Sequence, residues 1–405
     1  MTHPKTAAEC GAPEDTIRIF LIFLRLGLTC FGGPVAHVAY FRDEFVARRR
    51  WLTERAYADL VALCQFLPGP ASSQVGIALG LFRGGYVGAL AAWLGFTLPS
   101  AILMVLFALG IAPHEVLLSS GMLYGLKVVA VAVVAQAVVG MARTLCTDIP
   151  RIALMLAAAG AALLFPVPLA QIAIIAVAGV IGLLLKPTLT TPHDPLPTTI
   201  SRRAGLGWLC AFATLLAGLP ILSHMFPMQT LAAVDAFYRT GALVFGGGHV
   251  VLPLLQSEVA HPGWIDADTF MAGYAAAQAV PGPLFTFAAF LGSAMPGFVS
   301  PWLGGMICLL AIFAPAFLLV AGVLPFWETL RRQPKAQAAL AGINAAVVGL
   351  LLAAWYQPVW TTGIVDARDA ALALLAFIAL MFGRLPPWLV VAGSALSGWL
   401  LSTLP

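Results

Sequence analysis

The sequence predicts an all-α, polytopic membrane protein built from two homologous halves in inverted topology, each containing broken or re-entrant helices. Three observations predict this. Hydrophobic residues occupy 61% of the 405 positions, only 9% are charged, and the mean hydropathy is +0.95, outside the range of soluble domains. A long pattern of residues recurs once along the chain. The basic residues of matching loops fall on alternate sides when the two copies are compared, as an inverted repeat requires.

The repeat fixes the domain boundaries. Phe23 to Pro34 (F-L-R-L-G-L-T-C-F-G-G-P) is echoed by Phe237 to Gly248 (F-Y-R-T-G-A-L-V-F-G-G-G), with Phe, Arg, Gly, Phe, Gly and Gly in register. The match continues through Glu44 and Glu258, Trp51 and Trp264, Q-F-L-P-G-P (Gln65 to Pro70) and Q-A-V-P-G-P (Gln278 to Pro283), and Pro99 and Pro315. Further on, G-L-K-V-V-A-V from Gly125 answers G-I-N-A-A-V-V from Gly342, so Lys127 becomes Asn344. The expected organisation is a polar tail at 1–15, a first repeat at 16–186, a linker at 187–229 and a second repeat at 230–405. The linker holds a Pro- and Thr-rich stretch from Lys186 to Arg203 and one extra apolar segment from about Ala204 to Met225.

Orientation follows from the tendency of Lys and Arg to remain in cytoplasmic loops. The loop after the first F-G-G carries Arg42, Arg48, Arg49, Arg50 and Arg55, whereas its counterpart from Glu258 to Asp268 has acids and no Lys or Arg. Ile111 to Val116 has no Lys or Arg, and its counterpart carries Arg331, Arg332 and Lys335. Arg143 and Arg151 stand against Asp366 and Asp369, with Arg368 between those two. The extra segment supplies the single crossing that inverts the second copy. The first sixteen residues carry no apolar core with a cleavage site, so the amino terminus is expected in the cytoplasm and the carboxy terminus on the opposite side of the membrane.

Full crossings need about twenty apolar residues. Gly85 to Ile111, Val116 to Ala142 and tighter pairs after Pro150 and Pro168 meet this, but Glu54 to Leu67 and Ala71 to Phe82 are too short. Arg50 and Arg83 flank that pair, which makes the P-G-P between them the expected tip of a re-entrant hairpin. The F-G-G-P element is expected to tip another, giving roughly nine full crossings plus half-helices.

Broken backbone at membrane depth has to line protein or a watery cavity. Each F-G-G and P-G-P precedes a helical stretch, so free amides and positive helix ends would converge there, a setting that suits an anion. The candidate substrate-binding backbone is at Gly32, Gly33, Gly69, Gly246, Gly247 and Gly282. Gln65 and Gln278 lie beside it, and Ser72 and Ser73 follow the first P-G-P, as substrate donors or as helix caps. Arg25, Arg239 and Lys127 are costly cations in apolar helices; the arginines either meet substrate or pair with Glu44 or Glu258, and Lys127 either meets substrate or snorkels or satisfies backbone carbonyls. His37 and His249 follow the glycines and either touch substrate and protons or pack.

Six scattered cysteines, Cys10, Cys30, Cys64, Cys146, Cys210 and Cys308, form no metal-ligand pattern and read as reduced, packed thiols. No metal, cofactor or nucleic acid is expected. No H-E-x-x-H, G-x-S-x-G or paired membrane Asp supports an enzyme. A carrier and an anion channel both remain compatible with positive helix ends in the membrane.

These motifs together resemble the chromate transporter family in its long, two-domain form. The resemblance runs from about Thr16 to Leu404. It rests on F-G-G-P-V-A-H (Phe31 to His37), R-R-W-L (Arg49 to Leu52), F-L-P-G-P-A-S-S-Q-V (Phe66 to Val75), F-G-G-G-H-V-V-L-P (Phe245 to Pro253), G-W-I (Gly263 to Ile265) and A-V-P-G-P-L-F (Ala279 to Phe285). The resemblance implies export of chromate from the bacterial cytoplasm across the inner membrane, driven by membrane energisation and with sulfate as competitor, which would put the carboxy terminus in the periplasm. Besides the bilayer, a second copy of the chain could be a partner, although the internal repeat already supplies the pseudo-symmetry of a dimer of halves.

Overall fold

The computed structural model describes residues 14–31, 33–111, 120–165, 168–184, 196–198, 200–244, 251–259, 263–330, 333–383 and 385–403. Gly32, Gly246, Gly247 and His249 lie outside the described residues, as do most of the amino-terminal tail and of the polar linker.

Among the described residues all regular structure is helical. The first repeat comprises α1 (Thr16–Thr29), α2 (Gly33–Arg42, continuing as a π-helical turn Asp43–Arg48), α3 (Glu54–Phe66), α4 (Ala71–Ile111), α5 (Ser120–Leu145), α6 (Ile149–Leu164) and α7 (Pro168–Gly182). The extra helix is α8 (Arg202–Met225). The second repeat comprises α9 (Gln229–Leu243), α10 (Val251–Val259), α11 (Ala267–Ala279), α12 (Phe287–Ala294), α13 (Pro301–Val323), the short turn α14 (Trp327–Leu330), α15 (Pro334–Ala354), another short turn α16 (Thr361–Gly363), α17 (Ala367–Met381) and α18 (Pro387–Thr403).

Local sequence sets the starts of these helices. Side-chain oxygens cap α3 (Thr53), α6 (Asp148), α8 (Ser201), α11 (Asp266) and α13 (Ser300) by accepting from amides three residues on. Each such cap contributes about 1 kcal/mol. Thr53 and Asp266 occupy equivalent positions in the two repeats, and so do Asp148 and Asp366, which caps α17 through a capping box with Asp369.

Among the described residues, five helical stretches are long and apolar enough to cross a membrane: Ala71–Gly110, Tyr124–Leu145, Arg202–Met225, Pro301–Leu330 and Pro334–Gly363. Four shorter apolar helices accompany them, fewer long spans than the roughly nine expected. The cause is that the chain divides apolar segments into pieces of ten to seventeen residues. The chain is a multi-pass membrane protein, and its outer surface agrees. Leu90, Leu94, Leu98, Ile102 and Leu106 form an exposed stripe along α4, far more apolar surface than a soluble chain leaves to water. On α8 only Gly205 and Leu219 are buried, and Cys210 is exposed, unlike Cys30, Cys64, Cys146 and Cys308. The expectation that every cysteine packs inside is therefore corrected: Cys210 faces outward from a helix with few neighbours.

α4 holds the expected discontinuity. Gly84 and Gly85 (φ 60°) leave helical geometry and divide it into a short arm from Ala71 and a long arm ending at Ile111. The short arm, α3 and the Leu67 to Pro70 turn between them are the segments too short to cross alone.

The two repeats are interleaved. α5 of the first packs on α17 and α18 of the second, while α15 of the second packs on α6 and α7 of the first. The G-L-K and G-I-N motifs explain how. A Cβ on Gly125 would overlap the Ser394 carbonyl, and one on Gly342 would overlap the Ala178 carbonyl. These are the same crossing made twice with the copies exchanged, and only glycine lets the backbones approach so closely. The Tyr124 hydroxyl of α5 also donates to the Asp369 carboxylate at the start of α17.

Substituting Gly125→Leu or Gly342→Leu is expected to destabilise the fold by about 3 kcal/mol or more through overpacking. Gly140→Leu, with open space around its Cβ position, is expected to be tolerated. Thermal denaturation of the detergent-purified variants measures the difference. Equal melting of all three would contradict the packing described.

Candidate functional site

The two P-G-P turns meet the other repeat at equivalent points. The Gly69 amide donates to the Val244 carbonyl (2.6 Å), and the Gly282 amide donates to the Cys30 carbonyl (3.0 Å). Cys30 and Val244 are themselves equivalent, each ending the helix before an F-G-G. Both glycines have positive φ, 123° and 102°. A Cβ at Gly282 would press on Ser100 of α4, and one at Gly69 would touch Ala316 of α13, again equivalent positions. The turns of both repeats therefore lie against the middles of the long helices of their partners. This corrects one expectation: the Gly69 and Gly282 amides are not free for a ligand, because each completes a buried broken backbone that would otherwise lack a partner.

What surrounds this crossing differs between the copies. In the first, His37, Ser72, Ser73, Gln74, Thr97 and Ser100 are all buried. His37 Nδ1 and Ser72 Oγ are 3.4 Å apart, and the His37 ring stands edge-on to Phe96 at 5.2 Å. Gln74 Nε2 donates to the Pro68 carbonyl (2.7 Å), bracing the turn, and Ser100 Oγ donates to the Thr97 carbonyl (3.0 Å). His37 Nε2, Ser73 Oγ, Gln74 Oε1 and Thr97 Oγ1 have no hydrogen-bond partner among the described residues. The second copy places Phe285, Thr286, Phe287, Phe313 and Ala316 at the positions of Ser72, Ser73, Gln74, Thr97 and Ser100. Thr286 satisfies itself on the Pro283 carbonyl (2.8 Å).

An unpaired buried polar group costs about 1–3 kcal/mol. His37 Nε2, Ser73 Oγ, Gln74 Oε1 and Thr97 Oγ1 form a set that a ligand with several oxygens, or ordered waters, would relieve. The first amides of α4, from Ala71 to Ser73, have no acceptor within their own helix and add positive potential there.

The expected cations are placed elsewhere. Lys127 Nζ pairs with Asp268 Oδ1 of α11 at 2.7 Å, where the aspartate is mostly exposed. Arg239 pairs with Glu258 (2.9 Å) and Asp235 (3.2 Å), the internal pairing named as its alternative. Arg25 is exposed on α1 and pairs with no carboxylate among the described residues, because Glu44 is taken by Arg48 and Arg49. Gln65 is exposed at the end of α3, and Gln278 is half-buried. Gly33 opens α2 with a positive φ of 76°. The structure thus brings together Gly69, Gly282, His37, Ser72 and Ser73, and leaves Arg25 and Gln65 exposed and Lys127 and Arg239 in ion pairs. Sequence reasoning missed Gln74, Thr97 and Ser100. Gln74 sits inside the P-G-P-A-S-S-Q motif, and Thr97 and Ser100 bracket Pro99, which are the signals that could have found them.

A sequence model of the chromate transporter family matches residues 17–183 and again 231–399. The chain belongs to the chromate transporter family. Similar proteins include an uncharacterized transporter of Methanocaldococcus jannaschii, 29% identical over 99% of this chain and 98% of its own. A chromate transport protein of Cupriavidus metallidurans is 29% identical (96% and 94% covered), and one of Pseudomonas aeruginosa is 27% identical (98% and 95% covered). No solved structure matches. The family is one of transporters, not of enzymes. Its pattern falls on both copies and passes over 184–230, where α8 lies.

Thr97→Val and Ser73→Ala remove hydroxyls that have no hydrogen-bond partner among the described residues. Each is expected to raise the melting temperature of the substrate-free protein while lowering transport at least tenfold. Unchanged transport in both variants would remove these side chains from the site.

Proposed function

We propose that the chain is a secondary carrier that exports chromate from the cytoplasm, with sulfate as a competing tetrahedral dianion, and that the substrate is held where the two P-G-P turns cross. The observation carrying this is the set of buried, unpaired donors and acceptors at that crossing, in a chain similar to proteins named for chromate transport. Neutral donors and a positive helix end suit a dianion that must also be released. On this reading Ser72, Ser73 and Thr97 donate hydroxyls to substrate, Gln74 holds the turn, and His37 donates from Nε2. Gly32, Gly33, Gly246, Gly247 and His249 complete the cradle from the F-G-G side. Arg25 draws the anion in. Gln65 and Gln278 flank its path, and Lys127 and Arg239 position helices through their ion pairs.

Inverted topology is part of the same proposal, and α8 supports it. At its start the Trp208 indole N–H donates to the Tyr86 hydroxyl (3.0 Å), at the beginning of the long arm of α4. Gly205, at the same end of α8, lies against Gly322, Pro325 and Phe326, at the end of α13. The α4 arm and α13 are equivalent helices, so relative to α8 they run in opposite directions. At the far end of α8, Gln229 opens α9 and donates to the Pro296 carbonyl, matching the bond from the Glu14 amide to the Arg83 carbonyl before α1. The short helices around each P-G-P then enter and leave on one side as re-entrant hairpins, and alternating access proceeds by rocking one bundle against the other.

The membrane potential suffices as the driver. One charge crossing 100 mV gains about 2.3 kcal/mol, so a dianion leaving an inside-negative cell gains about 4.6. Everted vesicles should accumulate radiolabelled chromate saturably, with sulfate inhibiting. Dissipating the potential should stop accumulation, and collapsing only the pH gradient should not. No accumulation by correctly inserted protein would overturn the substrate assignment, and loss on collapsing only the pH gradient would overturn the driver.

A further inference from the structure

About 18 Å from the crossing turns, at ~1.5 Å per residue along the short arm of α4, the first repeat carries a second feature that the transport reading does not use. A cleft of about 360 Å³ is lined by Arg18, Arg48, Arg49, Arg50 and Arg83 around Trp51, with Glu14 at its side. That is room for about a dozen waters at ~30 Å³ each, ample for a hydrated oxyanion.

Five guanidinium groups crowd this cleft, and two carboxylates serve them. Glu14 meets Arg18 (3.4 Å) and Arg83 (3.9 Å), and accepts from the Trp51 indole N–H (3.3 Å). Glu44 meets Arg48 (3.2 Å) and Arg49 (2.7 Å). Burial alone would raise the Glu44 carboxyl, but the bonds from Arg49 and Arg48 outweigh it and hold it below its ordinary value, so it counts as a full negative charge. Five positive against two negative leaves an excess of three. Arg50 pairs with no carboxylate among the described residues, and it is the one non-glycine residue there with positive φ (54°). The turn thus holds an arginine where glycine would sit more easily. Arg83 lies over the Trp51 ring at 5.2 Å, which fixes one wall. Like charges packed this closely favour an anion between them, and planar guanidinium forks match the paired oxygens of a tetrahedral oxyanion.

We infer that this cleft is an oxyanion-binding site separate from the crossing of the turns, which captures a sulfate-like dianion or the phosphate of an anionic lipid headgroup at the surface of the first repeat. If the transport reading holds, it loads the path on the side bearing Arg202 and Arg203, raising local substrate concentration before entry.

The test is equilibrium binding of radiolabelled sulfate, at low ionic strength, to the full chain in nanodiscs of phosphatidylcholine alone or with phosphatidylglycerol. Arg50→Gly deletes the charge and relaxes the backbone, whereas Arg50→Gln deletes the charge and keeps the backbone. Both are expected to weaken binding about tenfold, with the melting temperature of Arg50→Gly no lower than that of the natural chain. Sulfate binding in neutral discs that both Arg50 variants weaken identifies a soluble oxyanion as the ligand of the cleft. Phosphatidylglycerol retained by the natural chain and lost in both variants identifies a headgroup. Equal binding by the natural chain and both variants in both arms would overturn the site. If vesicles move no chromate but the Arg50 variants still lose sulfate, the capture site stands and the transport reading falls.

Discussion

Two backbone hydrogen bonds, from Gly69 to the Val244 carbonyl and from Gly282 to the Cys30 carbonyl, set the terms on which this chain can be irregular inside a membrane. A broken helix exposes amides and carbonyls that hydrocarbon cannot satisfy, at a cost of several kcal/mol each. Here each repeat covers the break of the other. The turn of one copy needs the helix end of its partner, so neither turn is complete alone. The exchanged packing of α5 on α17 and α18, and of α15 on α6 and α7, extends the same dependence to the rest of the fold.

Once the backbone at the crossing is satisfied internally, side chains are left to carry chemistry there, and they have diverged. The first copy keeps His37, Ser72, Ser73, Gln74 and Thr97 buried, while the second fills the positions of the last four with Phe285, Thr286, Phe287 and Phe313. The duplicated fold thus gives one polar and one apolar lining on either side of a shared centre. On the proposed reading, a dianion held there by neutral donors on one side and apolar side chains on the other would be bound without the deep electrostatic trap that buried cations would form. That agrees with the placement of Lys127 and Arg239 in ion pairs away from the turns.

The helical class, the repeat, the extra crossing and the breaks at P-G-P were legible because glycine, proline and hydropathy report directly on backbone needs. Gly125 and Gly342 served in the sequence only to align the copies; the structure shows why both copies have glycine there, because each meets a backbone carbonyl of the other repeat. The partner of each glycine was not legible, since a sequence carries no record of which carbonyl lies opposite. Comparing the copies also favoured residues present in both, such as Arg25 with Arg239, over Gln74, Thr97 and Ser100, whose counterparts are apolar. The cations were easy to see and hard to place, because an acid on a helix of the other repeat, such as Asp268 for Lys127, is as good a partner as a substrate.

The most direct test of the account concerns which side of the membrane equivalent residues face. In a cysteine-free background, Glu54→Cys and Ala267→Cys occupy matching exposed positions at the starts of α3 and α11. Labelling with a membrane-impermeant maleimide, in intact spheroplasts and in everted vesicles, reads the side of each. The account predicts that position 54 labels only in everted vesicles and position 267 only in spheroplasts. Labelling of both positions from the same side would contradict the inverted arrangement and the crossing mechanism built on it.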